Sequence, residues 1–203
     1  MVRAGKRASQ YATVWIDVLK VTQRLTREDW ILAAFRALAS GGPSALRVDP
    51  VARGLGATKG SFYWHFPDPS AWRDAILAYW ADHAYARMVA AVTHLAPGHQ
   101  QLSALIDIAS AARDPAYGGD AAEPALRAWA RYDPVVAEAV ERVDTARTEW
   151  VAGAFAAAGI EPNQARAFYA AHLGLEALRG DPTANAAILQ SLVKALKDAS
   201  DSP

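Results

Sequence analysis

Apolar residues recur along this chain three and four positions apart, and nowhere do β-branched residues alternate with polar ones between turn signals. The pattern predicts an all-α fold. Thr26 followed by Asp29 has the form of a capping box, after which Ile31, Ala34, Phe35 and Leu38 make one apolar stripe that Gly41-Gly42-Pro43 ends. A second short helix fits Val48 to Leu55, with Pro50 in its first turn, where a missing N–H loses no partner, and Gly56 closing it. Thr58 can cap a third helix running to Phe66, and Pro67-Asp68-Pro69 then breaks the chain. Beyond it, Pro, Gly and Asp punctuate six further helices over 69–95, 99–112, 123–132, 134–158, 162–179 and 182–198. Three segments follow: an N-terminal arm over 1–25, a three-helix head over 26–67 and a helical body over 68–203. Within the arm, Tyr11, Val14, Trp15, Val18 and Leu19 fall on one face of an additional amphipathic helix preceded by basic residues.

Composition narrows the class. With 203 residues, 52% of them hydrophobic and 21% charged, the chain can bury one large core or two small ones and is not of the disordered type. No apolar run approaches the ~20 residues of a membrane span, and no small-residue cleavage site follows the basic N-terminal stretch, so a cytoplasmic protein without membrane contact is expected. Cysteine is absent, which removes disulfides and thiol catalysis. His83, His94, His99 and His172 lack metal-ligand spacing, so no metal or other cofactor is expected. The signatures H-E-x-x-H, G-x-S-x-G and G-x-G-x-x-G and the phosphate-binding loop are all missing, which argues against an enzyme.

The net charge of zero conceals an asymmetry. Residues 1–65 hold ten Lys and Arg against four Asp and Glu, whereas residues 66–203 hold 11 against 17. A basic head on an acidic body suits a polyanion-binding module whose remainder repels the same polyanion. The segment Ala52 to Phe66 gives that idea residues. Phe62 and Phe66 lie one helical turn apart and must face a small core, so Gly60, Ser61 and Trp64 present the opposite face, bordered by Lys59, Tyr63 and His65. A short helix of this kind, reached across a Gly-containing turn from another, fits a major groove about 12 Å wide. Lys59 can reach guanine acceptors or a phosphate, Gly60 admits close backbone approach, and Ser61 can bond to base edge or phosphate. Tyr63 and His65 can donate to phosphate oxygens, Trp64 can pack on sugar or a thymine methyl, and Thr58 caps the helix whose first N–H groups face an anion.

The elements A-x-x-L-G, K-G-S-F-Y and Y-W-H-F in this segment resemble, in order and spacing, the helix-turn-helix of the tetracycline-repressor (TetR) family, over roughly residues 26–82. The resemblance implies that Lys59, Gly60, Ser61, Tyr63, Trp64 and His65 face double-stranded DNA and that Arg47 and Val48 start the supporting helix against its backbone. Many members carry a Lys or Arg just after the H-F pair; here Pro67-Asp68-Pro69 stands there, and Arg73 is the nearest substitute.

In the body, small residues on helix 162–179 and leucines on helix 182–198 suit a four-helix interface across a two-fold axis, a homodimer contact expected at Ala171, Gly174, Leu175, Leu178, Leu189, Leu192, Val193 and Leu196. The family resemblance implies the same pair. Trp80, His83, Trp129, Tyr132, Arg147, Trp150, Phe168 and His172 are candidates to line a cavity for an apolar or aromatic small molecule. The expected activity is that of a ligand-responsive repressor on a pseudo-palindromic operator. The alternative is a DNA-binding dimer whose body only dimerises or binds a protein.

Overall fold

Thr26 opens the fold as a cap. Its Oγ1 accepts the Asp29 N–H at 3.2 Å while the Asp29 carboxylate accepts the Thr26 N–H at 2.7 Å, so two orphan donors of the first turn are satisfied together. The backbone bond first, and the Thr26 hydroxyl second, hold the Asp29 carboxyl below its usual range. Helix α1 then spans Arg27–Gly41, and Gly42, at a φ of 65°, turns the chain out of it. The computed structural model describes residues 24–111, 114–178 and 181–201; the amphipathic helix expected near the N-terminus, and nearly all of the arm, lie outside them.

Two short helices follow, α2 over Val48–Gly54 and α3 over Lys59–Tyr63. Asp68 caps α4, Pro69–Ala81, by accepting the Ala71 N–H at 2.8 Å. The rod does not continue as plain α-helix to residue 95. It passes through a π-helical turn, Asp82–Ala86, before α5, Arg87–Val92. The body is completed by α6 (His99–Ser110), α7 (Ala122–Ala130), α8 (Pro134–Ala157), α9 (Ala165–Ala177) and α10 (Pro182–Ser200). Among the described residues there is no strand, and no helix is long and apolar enough to cross a membrane.

The apolar faces close into two cores. The first joins Trp30, Phe35 and Leu38 of α1 to Phe62 of α3, Phe66, then Trp72, Ile76 and Trp80 of α4, Leu126 of α7 and Val136 of α8. The second joins Leu102 and Ile106 of α6 to Val151 and Phe155 of α8, Phe168 of α9, and Leu189 and Val193 of α10. Helix α8, about 36 Å long by its 24 residues, serves both.

Five residues cannot hold a helix by propensity alone, so α3 depends on what it buries. Phe62 is fully buried with its ring centroid 5.4 Å from Trp30, 5.4 Å from Phe66 and 5.3 Å from Trp72, two of these contacts being edge-to-face. Trp72 Nε1 donates to the Trp30 carbonyl at 3.3 Å. Burying each such side chain contributes roughly 2 kcal/mol, far more than a five-residue helix gains from its own backbone. Because Trp72 belongs to α4, the rod completes the core that fixes α3.

Candidate DNA-binding face and interior cavity

The inward turn of Phe62 and Phe66 leaves the opposite side of α3 in solvent. Thr58 Oγ1 accepts the Ser61 N–H at 3.2 Å and starts the helix, so Lys59 and Gly60 stand exposed on its first turn. Trp64 is 84% exposed, Tyr63 is about half exposed, and His65 is partly covered beside Phe66. A Trp so exposed has no packing role in the head, which leaves a contact made with something else. Lys59 Nζ lies 3.7 Å from the Asp49 carboxylate on α2, a solvent-exposed pair that a phosphate can replace at little cost. Arg47 caps the start of α2 through its backbone. Arg24 joins Thr58, Gly60, Ser61, Trp64 and His65 around one shallow depression on this face. Sequence reading missed Arg24 as a contact, because it precedes the first capping residue and belongs to no helical pattern.

Arg73 does not stand in for a basic residue after His65-Phe66. It lies within 3.3 Å of Asp74 and 3.4 Å of Asp133, tying α4 to the cap of α8.

Between the two cores lies a cavity of about 480 Å³, within the range of small-molecule sites. Trp80, Met88, Leu105, Ile106, Val151 and Phe168 give it apolar walls. At one end His83 stacks between Tyr79, 3.9 Å away, and Tyr117, 5.6 Å away, with Phe35 4.3 Å beyond Tyr117. Gly118 makes this stack possible: its φ is 88°, and a Cβ there would stand 2.9 Å from the Phe35 carbonyl oxygen. Tyr79 donates its hydroxyl to Glu28 Oε1 of α1 at 2.8 Å, and burial together with that bond pushes the phenol up to about 12. Glu28 and Leu32 also line the cavity, so the head supplies part of its wall.

At the other end, charges are buried as a matched set. Glu123, 4% exposed, accepts Arg147 Nη1 at 2.7 Å and Arg127 Nη2 at 2.8 Å. Arg127 also reaches Asp144 at 2.7 Å, and Tyr169 donates to the same carboxylate at 2.7 Å while accepting from both guanidinium groups at 2.9 Å. Burial works against the charge of both arginines, but the carboxylates outweigh it and raise both above their usual values. Burial raises the Tyr169 phenol to about 12 despite the two arginines, so it stays neutral and two positive groups face two negative ones.

The π-helical turn is part of this wall. A π turn disturbs the regular carbonyl bonding of the helix, and here ring and guanidinium donors take up carbonyls near it. His83 Nδ1 lies 2.9 Å from the Tyr79 carbonyl oxygen, and Arg147 Nε donates to that of Ala84 at 3.0 Å.

Of the effector candidates, Trp80, His83, Arg147, Phe168 and His172 line the cavity. Trp129 packs instead against the first core and borders a groove between head and body, Trp150 packs on the second core, and Tyr132 is 86% exposed. The reason is helical phase: Arg147 and Val151 share the cavity stripe of α8, which Trp150 falls beside. Sequence gave no sign of Glu28, Tyr79, Tyr117 or Tyr169, whose meeting needs the folded chain; Glu123 and Arg127 were legible as an i,i+4 pair.

The expected dimer residues divide as well. Leu189 and Val193 are buried in the chain's own second core, and Ala171, Leu175, Leu192 and Leu196 pack half-buried against it. They point inward because α10 lies against α6 as well as α9, and both contacts use its leucine stripe. Gly174 and Leu178 remain outside, Leu178 at 79% exposure, together with Ala167, Ala170 and Ala177 of α9 and Ala184, Ala187 and Ile188 of α10.

Residues 31–68 match the family of bacterial regulatory proteins, tetR family. No curated protein matches the chain. Among solved structures, one described as a TetR-family transcriptional regulator from Rhodococcus sp. superposes with a TM-score of 0.72 at 22% identity, covering 84% of this chain and 98% of its own. A transcriptional regulator from Saccharomonospora viridis in complex with choline gives 0.72 at 16% identity, covering 83% and 95%. The multidrug binding protein EbrR complexed with imidazole gives 0.56 at 23% identity, covering 82% and 93%. The exposed face of α3 thus belongs to a tetR-type helix-turn-helix head, and the chain that carries it has the fold of the TetR-family transcriptional regulators.

Proposed function

We propose that this chain is a homodimeric, ligand-responsive repressor whose head, residues 26–67, binds a pseudo-palindromic operator and whose body, residues 68–203, holds a small apolar or aromatic effector. The observation that carries the reading is the makeup of the cavity wall: Glu28 and Leu32 of the head stand in it beside residues of the body. An occupant there touches the helix on which α3 is packed. Two heads on a two-fold axis must match a groove repeat of ~34 Å, so a small tilt of α1 and α4 costs phosphate contacts in at least one half-site. A ligand that prefers the tilted form releases DNA, and a coupling of about 1–3 kcal/mol corresponds to a 5–150-fold loss of affinity. The choline and imidazole held by two structural neighbours support a small-molecule role for the same region.

The test is a gel-shift titration on a duplex selected by this protein from a random pool, run against apolar and aromatic compounds. A true effector lowers operator affinity, and His172→Ala weakens that response while DNA binding stays intact. A panel without any effect favours the alternative, a body that only dimerises or binds a protein.

Dimerisation is expected through the outer faces of α9 and α10. Nothing stands within 4 Å of a Cβ built on Gly174, so a large side chain fits the single chain and is blocked only by a partner. Gly174→Trp is expected to convert a dimer of about 43 kDa, twice 21.7 kDa, into monomer by light scattering with helicity unchanged. A wild-type monomer at micromolar concentration rejects the interface.

A further inference from the structure

We infer that the effector held by this cavity carries a positive charge, bound between the aromatic stack Tyr79, His83 and Tyr117 and the carboxylates of Glu28 and Asp114. The inference rests on the ligand-responsive reading above and adds the chemical class of the ligand. Both arginines in the cavity wall are already committed. Arg147 is spent on Glu123, Tyr169 and the Ala84 carbonyl, and Arg87 Nε lies 3.3 Å from Asp82. An anionic ligand would have to pull one of them from its carboxylate, which in a buried setting is unfavourable.

The acids are in a different position. Among the described residues, Glu28 accepts the neutral Tyr79 hydroxyl, and Asp114 accepts the Ala116 N–H at 2.8 Å, so the hydrogen bonds they make here come from neutral donors. Both line the cavity. The phenol of Tyr79, held at about 12, remains a donor to Glu28 and does not itself become a negative charge near neutral pH. With Nδ1 of His83 directed at the Tyr79 carbonyl, the neutral ring turns Nε2 outward as a lone pair. This end of the cavity therefore offers π faces, a lone pair and two carboxylates, all of which favour a cation or a cationic N–H. The apolar walls of Trp80, Leu105 and Phe168 favour a ligand whose remainder is an aromatic or aliphatic body.

The test uses the full-length protein and three fluorophores of similar size that brighten in apolar surroundings: cationic 4-(4-dimethylaminostyryl)-1-methylpyridinium, neutral N-phenyl-1-naphthylamine and anionic 1-anilinonaphthalene-8-sulfonate. The cation is expected to bind about tenfold tighter than the neutral dye, with the anion weakest. Glu28→Gln and Asp114→Asn keep an oxygen for Tyr79 and for Ala116, so each should cut the cation-to-neutral affinity ratio about threefold, and the double variant should abolish it. A neutral or anionic dye that binds as tightly as the cation overturns the charge assignment while leaving a small-molecule cavity in place. A cation preference that survives in the double variant overturns it too. Binding of none of the three overturns this assignment together with the cavity reading on which it rests.

Discussion

Glu123→Gln is expected to lower thermal stability by about 3–5 kcal/mol, the usual cost of removing one partner from a buried ion pair. Glu123 is nearly inaccessible and sits between two guanidinium groups, so its loss leaves Arg127 and Arg147 facing Asp144 alone, one buried positive charge in excess. For a chain of this length the melting temperature should fall by roughly 6–20 °C in a calorimetric scan. The sign of the effect rests on charge rather than shape, since Gln has nearly the volume of Glu. Combining Glu123→Gln with Arg147→Met restores the balance and should recover most of the loss, because a matched set exchanged for a smaller matched set costs far less than an orphaned ion. A single variant as stable as the wild type would show that the cluster holds no net electrostatic energy.

The second large effect concerns DNA. Tyr63→Ala and His65→Ala should each lower operator affinity about tenfold or more, since a dimer loses the contact twice and only ~0.7 kcal/mol per half-site suffices. The slope of log affinity against log salt should shrink by about 2 for each variant that removes one phosphate contact per head. Lys59→Ala should in addition relax base preference at one position of each half-site. Trp64→Ala should weaken DNA binding while leaving the melting temperature unchanged, because the ring is not packed in the head. Unchanged gel shifts in all four variants at fixed salt would remove α3 from the DNA interface.

The residues that announced themselves in the sequence are those whose neighbours along the chain determine their surroundings. Thr26 and Asp29, Phe62 and Phe66, Asp68 and Pro69 are separated by one turn or less, and a helical period fixes what they do; hence the caps, the number of helices and the outward face of α3 could be read directly. The cavity could not. Glu28 and Tyr79 are 51 positions apart, and Arg147 and Ala84 are 63 apart, so no local rule brings them together. Aromatic residues were equally uninformative as individuals: Trp80 lines the cavity, Trp129 packs on the core, and Tyr132 faces water, although all three looked alike as cavity candidates. The dimer face was half legible, because an Ala-rich helix has small residues on several sides and the leucines of α10 serve the chain's own core. The π turn gave no signal, since Asp82 to Ala86 is compatible with an ordinary helix.

That turn changes how the rod tolerates insertions and deletions. A π turn accommodates a surplus residue within a helix, and each residue of an α-helix advances the phase by about 100°. Arg87 and Met88 face the cavity with that surplus in place. Excising any one residue between Asp82 and Ala86 would let the helix close into regular α geometry and swing everything after it by about a quarter of a turn, carrying Arg87 and Met88 off the cavity wall while α4 and the head stay where they are. In this stretch the count of residues therefore constrains the protein more than their identity does: substitutions at solvent-facing positions such as Tyr85 would be absorbed, whereas a single lost codon would rewrite one wall of the cavity.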